Sequence, residues 1–136
     1  HAEFVRYGVM HRNTFLDSPR LLTSAFCMKA HPELYFAGQM TGVEGYVESA
    51  ASGILAGKNM ARALMGKQPL LLPADCMLGA LSRYISDEQV VDFQPMGSNM
   101  GILPPWPERV KDKTVRYEKI AQRGLSHLRE YLEQVD

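Results

Sequence analysis

A chain of 136 residues, 46% apolar and 22% charged, is long enough to bury one real core and does not require a second domain. Its fifteen basic and fifteen acidic side chains cancel, so no global field announces nucleic acid and any RNA-binding surface has to be local. With no run of about 18 apolar residues and no basic start leading into an apolar stretch, the chain reads as cytoplasmic, not membrane-spanning or secreted.

In chain order, Glu3 to Met10 alternates loosely between apolar and polar residues and predicts a strand. His11, Arg12, Asn13 and Thr14 follow as a polar turn. A stackable ring, a fixed cation and an amide side by side suit recognition of a flat heterocycle, and equally suit a solvated loop that bonds its own backbone. Asp17, Ser18 and Pro19 make a further turn. Leu21 to Lys29 predicts another strand, and His31, Pro32 and Glu33 complete a hairpin into the apolar run Leu34 to Ala37.

The stretch from Leu34 to Met65 predicts a strand, a glycine turn and a long helix. Thr41 and Glu44 have the spacing of a capping box, which starts the helix near Gly42. Val47, Ala50, Ile54, Ala61 and Leu64 fall near a 3.6 spacing and predict the face packed on the core, with Gly53 and Gly57 allowing close approach. A helix start beside glycines is an anion site, because unpaired N–H groups and the helix dipole point the same way. The same pattern also describes a buried helix with no ligand.

Gly66 predicts the helix stop, and Pro69 and Pro73 keep Lys67 to Pro73 extended. Asp75 is placed to cap a second helix with Met77, Leu78, Leu81, Tyr84 and Ile85 on one face. Phe93 to Pro107 carries four prolines and two glycines, and predicts an ordered strap or a lid whose polar contacts come from Gln94, Ser98 and Asn99. Asp112 to Gln134 predicts a last helix, docked through Tyr117, Ile120, Gly124, Leu128, Tyr131 and Leu132. Arg109, Lys113, Arg116, Lys119 and Arg123 form a local basic cluster there, readable as an RNA contact or as a solvated helix face. Cys27 and Cys76 stand too far apart for a C-x-x-C motif and read as buried thiols.

The string FAGQMTGVEGYVESAASGILAG (Phe36 to Gly57) closely resembles the C-terminal flavin-binding segment of the TrmFO family, the folate- and FAD-dependent tRNA uracil-5-methyltransferases. More distantly it is similar to the GidA tRNA-modifying flavoproteins. The resemblance extends to YGVMHRNTFLDSP (Tyr7 to Pro19), GALSRYI (Gly79 to Ile85) and FQPMGSNMGILPP (Phe93 to Pro105), nearly the whole chain in order. It implies an α/β fold, mixed α+β in isolation: the C-terminal portion of a Rossmann-like FAD-binding domain, with a few strands, a glycine-turn helix, a second helix and a long C-terminal helix. It also implies that residues 1–136 are one segment of such a domain, the last third of an enzyme whose G-x-G-x-x-G fingerprint and nucleophilic cysteines lie elsewhere. The segment alone is then expected to be inactive, with no catalytic role for Cys27 or Cys76.

By the same resemblance Gly38, Gln39, Met40, Thr41, Gly42 and Val43 face FAD, with Gly45, Tyr46 and Glu48 as weaker candidates. His11, Arg12 and Asn13 are assigned to the folate site, and the strap from Phe93 to Pro107 to the active-site side of the flavin domain. Methylenetetrahydrofolate is the implied one-carbon donor, NAD(P)H the reductant and the T-loop of tRNA the substrate. The reading from a different class is a non-catalytic module that binds RNA or a partner subunit.

Overall fold

The computed structural model describes residues 14–135. The expected first strand and the His11, Arg12, Asn13 turn lie outside the described residues. Four helices follow in order: α1 (Ser18–Leu21), α2 (Tyr46–Leu64), α3 (Met77–Tyr84) and α4 (Lys113–Val135), with 3-10 turns at Gly38–Thr41 and Met100–Ile102.

The expected α/β architecture is not found: among the described residues there is no sheet, only the isolated bridges Leu22 to Met28, Cys27 to Tyr35 and Val43 to Met96. The reason is local. Leu21 closes α1, and the chain then doubles back through a turn in which Phe26 N donates to Thr23 O and Thr23 N to Cys27 O. Phe26 sits at φ 67 in the left-handed region, a strain on the order of 1–3 kcal/mol that full burial of its ring offsets. A segment that reverses every few residues cannot offer a ladder. The expected hairpin therefore survives as two bonds, Met28 N to Leu34 O and Phe36 N to Phe26 O, before Ala37 leads into the 3-10 turn.

The core gathers Leu22, Phe26, Val43, Leu55, Leu81, Ile85 and Phe93 beneath α2 and α3, and a smaller cluster of Ala80, Leu103 and Ile120 seats α4. Helix α2 is rotated relative to expectation. Its buried residues are Ser52, Leu55, Ala56 and Asn59, whereas Val47, Ala50, Ile54, Ala61 and Leu64 face outward. Hydrogen-bond demand selects that face, because the surface under α2 is irregular backbone with unpaired polar groups instead of a sheet with a completed ladder. Asn59 answers three of those groups: its amide donates to Ala25 O and Leu70 O and accepts from Leu70 N.

Of the other local expectations, some are met and the cap of α3 is not. Gly66 at φ +69 ends α2, with Lys67 N donating to Arg62 O and Gly66 N to Ala63 O, the paired bonds of a Schellman end. Ile120 and Gly124 of α4 are buried and Tyr117, Leu128 and Tyr131 are half-buried along the expected stripe, whereas Leu132, expected on it, is exposed. A Cβ on Gly124 would stand 2.5 Å from Asp75 O, so α4 crosses the start of α3 at backbone contact. The cap of α3 is Cys76, not Asp75: its thiol accepts from Gly79 N and donates to Pro73 O. Asp75 instead pairs with Arg123 and His127 of α4. No helix among the described residues is long and apolar enough to cross a membrane.

Candidate functional site

The turn between the apolar run and α2 is built by its own short-range bonds. Gly38 at φ +67 opens the 3-10 turn, Thr41 Oγ1 donates to Gly38 O at 2.7 Å, and Gly42 closes it in the left-handed region at φ 85, ψ 9. Only a residue without Cβ takes that last conformation cheaply. Ser52 ties the turn to α2, its Oγ accepting from Gly38 N and donating to Ser49 O, both at 2.8 Å. A serine that faces the core thus fixes a surface turn.

The expected capping box does not form. Thr41 is buried with its hydroxyl directed back into the turn, and α2 starts four residues later than expected, at Tyr46, with Gly45 in the cap position. The reason is Val43, whose full burial draws the chain into an extended stretch between turn and helix. There Met96 N donates to Gly42 O and Glu44 N to Met96 O. Gly45, the cap residue, has no side chain to offer, and the Glu48 carboxylate of the first turn lies over it and accepts from the Glu48 N–H, so the positive helix end already holds an acid of the chain itself.

The six turn residues are brought together, but they do different things. Gln39 and Met40 are exposed; Thr41, Gly42 and Val43 are buried. A Cβ on Gly42 would collide with Phe93 Cζ, so the protein's own aromatic ring covers this glycine. Phe93 in turn stacks edge-on with Phe15 and tilted against Tyr84. What the turn offers outward is the Gln39 amide and the Met40 side chain.

The segment from Phe93 to Pro107, expected as a strap or a lid, lies against this turn through Phe93 and Met96. Phe93 and Leu103 are buried, Tyr84 Oη donates to Gln94 O, and the Asn99 side chain accepts from Gly101 N to cap the second 3-10 turn. Ser98 N donates to Glu48 Oε1 at 3.2 Å. Hydrogen bonds from the Ser98 side chain, and from the backbone N–H groups of Glu48 and Ser98, hold the Glu48 carboxyl below its ordinary range. Glu48 thus fastens the strap to the first turn of α2. Tyr46 is almost wholly exposed, and a Cβ on Gly45, at φ +101, would collide with the Glu48 carboxylate.

The basic cluster divides. Arg123 is committed to the fold: its guanidinium donates to Pro104 O and Pro105 O, and its Nε lies 3.2 Å from Asp75 Oδ2 without hydrogen-bond alignment. Lys119 and Arg123 lie 5.2 and 5.7 Å from the Trp106 ring, and Lys113 and Arg116 lie 5.4 and 5.5 Å from Tyr117. Arg109 and Lys113 are exposed. Of the thiols, Cys76 is buried, and desolvation pushes its pKa up. Cys27 is only half-buried, 3.0 Å from Thr23 Oγ1. Sequence reasoning missed Ser52, Asn59 and Phe93 as the residues that shape the turn and its support; a buried serine or asparagine inside an apolar helix was the available signal for the first two.

Comparison with known proteins agrees with the turn's sequence. The family model described as glucose inhibited division protein A matches residues 1–68. The chain is 53% identical over 128 residues to the methylenetetrahydrofolate–tRNA-(uracil-5-)-methyltransferase TrmFO of Lactiplantibacillus plantarum, covering 94% of this chain and 29% of the relative. It is 52% identical over 136 residues to the protein of that name in Enterococcus faecalis, covering 100% of this chain and 31% of the relative. Against that of Acetivibrio thermocellus it is 52% identical over 132 residues, covering 97% and 30%. The chain thus spans less than a third of the length of these relatives, and its first half carries the family pattern that includes the turn. On that match the chain belongs to the glucose inhibited division protein A family, and it is similar along nearly all its length to the TrmFO methyltransferases.

Proposed function

We infer that residues 1–136 form one segment of an FAD-binding domain in a flavoprotein tRNA methyltransferase that moves a one-carbon unit from methylenetetrahydrofolate to carbon-5 of a T-loop uridine, with NAD(P)H as reductant. The observation that carries this reading is the identity of about one residue in two, sustained over nearly the whole chain, to relatives whose names state a methylenetetrahydrofolate-dependent tRNA uracil-5-methylation. The geometry suits one wall of a flavin site. The turn holds an exposed amide at Gln39 and an exposed thioether at Met40 side by side, a polar and an apolar contact for a flat heterocycle.

Within that wall Gln39 and Met40 touch the cofactor by side chain, and Gly38, its N–H held by Ser52 and its carbonyl by Thr41, shapes the turn beside it. Thr41, Gly42 and Val43 hold the turn's shape from the buried side. Bound FAD supplies the electron-transfer chemistry; this segment orients it. His11, Arg12 and Asn13 belong to the folate site, the imidazole stacking on the pterin ring and the guanidinium meeting folate carboxylates.

The test places this chain in the Enterococcus faecalis relative in place of the matching 31% and measures bound flavin and 5-methyluridine formation. Flavin retention and methylation are expected, with Gln39→Ala and Met40→Ala lowering flavin affinity without lowering the melting temperature. His11→Ala should raise the folate KM while His11→Phe keeps most activity. A folded chimera that retains tRNA but neither flavin nor methylation would replace this reading with that of an RNA-binding module.

A further inference from the structure

Among the described residues the outward face of α2 has no partner, although it is the most apolar surface of the helix. Tyr46 is 98% exposed, Val47 80%, Ile54 65% and Leu64 81%. Val47, Ala50, Ile54, Gly57, Ala61 and Leu64 follow one another at alternating intervals of three and four residues, the spacing of a single seam along a helix, and all six are exposed. The seam is large at both ends and small between. A Cβ built on Gly53 or Gly57 meets no atom within 4 Å, so a partner can approach the middle of the helix at backbone distance. After Glu48 the helix carries two charged residues, and Arg62 is turned away, donating to Gln68 O and Val135 O. That leaves Lys58, at the seam's edge.

We propose that this seam is an intramolecular docking face, covered by an apolar helix or sheet surface of the same polypeptide corresponding to the part of the relatives outside the matched segment. More than two thirds of each relative lies there, since the match covers 29–31% of their lengths. A contiguous apolar strip of this length, exposed on a stable monomer, marks an interaction surface. A second copy of the chain fits less well. Two-chain helical seams set register and orientation with paired charges flanking the apolar positions and fill those positions with large side chains, whereas here the flanks are Tyr46, Ala51, Gly53 and Met60, with only Lys58 charged, and the middle seam positions are Ala50, Gly57 and Ala61. Small residues along the middle suit a partner surface held in place by covalent connection. The inference stands apart from the flavin reading, because it needs only the face and the longer polypeptide.

Cysteine accessibility tests it without any cofactor. Ile54→Cys and Leu64→Cys are made in the isolated 136-residue chain and at the corresponding positions of the full-length Enterococcus faecalis relative, with Glu130→Cys as the exposed control, and maleimide labelling is located by peptide mass. In the isolated chain the two seam thiols should label as fast as the control at 1 and at 100 μM protein. In the longer polypeptide they should label at least tenfold more slowly than the control. Equal labelling of seam and control in the longer, cooperatively melting polypeptide overturns the proposal. Protection in the isolated chain that rises with its own concentration overturns it in favour of a second copy. Gly57→Phe adds an independent readout: the isolated chain has room for the ring and should melt unchanged, while the longer polypeptide should melt at a lower temperature. An unchanged melt in both contradicts a covered seam.

Discussion

Asn59 holds both backbone polar groups of Leu70, accepting from its N–H at 2.7 Å and donating to its carbonyl at 3.2 Å, so one side chain of α2 stands where a neighbouring strand would stand. The same amide donates to Ala25 O. Two irregular segments therefore meet the helix on one buried residue.

Asn59→Ala strands these groups in the core. Each buried polar group left unpaired costs roughly 1–3 kcal/mol, so a loss of about 3 kcal/mol or more is expected. Asn59→Asp should not rescue it, because a carboxylate cannot donate to Leu70 O or Ala25 O. Urea unfolding of both variants checks this; a loss under about 1 kcal/mol in the alanine variant would show that water replaces the amide.

Gly42 is covered by Phe93 and sits at φ 85, so Gly42→Val meets both a backbone strain and an overpacked ring. Together these cost about 2–6 kcal/mol. The isolated chain should therefore melt lower before any cofactor is considered. Gly42→Ala with Phe93→Leu relieves the collision and should recover part of the loss, leaving the strain at φ. Full recovery would assign the whole effect to packing.

Glu48 links acidity to the strap. Its folded pKa is depressed, chiefly by the hydrogen bond from the Ser98 side chain, so the stability it contributes is present above the ordinary carboxylate range near 4.5 and is lost as pH falls through and below it. The melting temperature should drop between pH 6 and pH 3, and Glu48→Gln, which cannot titrate, should flatten that drop. Identical pH profiles for the two proteins would remove Glu48 as the fastener.

The cations on α4 separate into two tests. Arg123→Ala should lower stability, by about 2–3 kcal/mol if the Pro104 and Pro105 carbonyls and the Asp75 carboxylate are left with fewer partners. Reversing the charge of Arg109, Lys113 and Lys119 in the longer polypeptide should lower the salt slope of tRNA binding by about 1 for each phosphate that is no longer neutralised. An unchanged slope returns these residues to a solvated helix face.

Much of the chain was legible from local chemistry alone. The Gly66 stop is one case, because a left-handed residue after an apolar helix has few other solutions. The helix-free path from Lys67 to Pro73 and most of the α4 stripe are others, and the family follows from the string around the turn. What sequence could not decide was direction. The apolar spacing of Val47, Ile54 and Leu64 says that these residues share a face, not that the face is covered; tertiary structure turned Ser52 and Asn59 inward because loops beneath needed donors and acceptors. Leu21 to Lys29 reads as a strand by composition, yet strand pairing depends on a straight neighbour, and the turn at Phe26 removes it. Composition and period determine which residues go together. Only the folded chain, by deciding where each backbone hydrogen bond ends, determined which of them the core took and which the solvent kept.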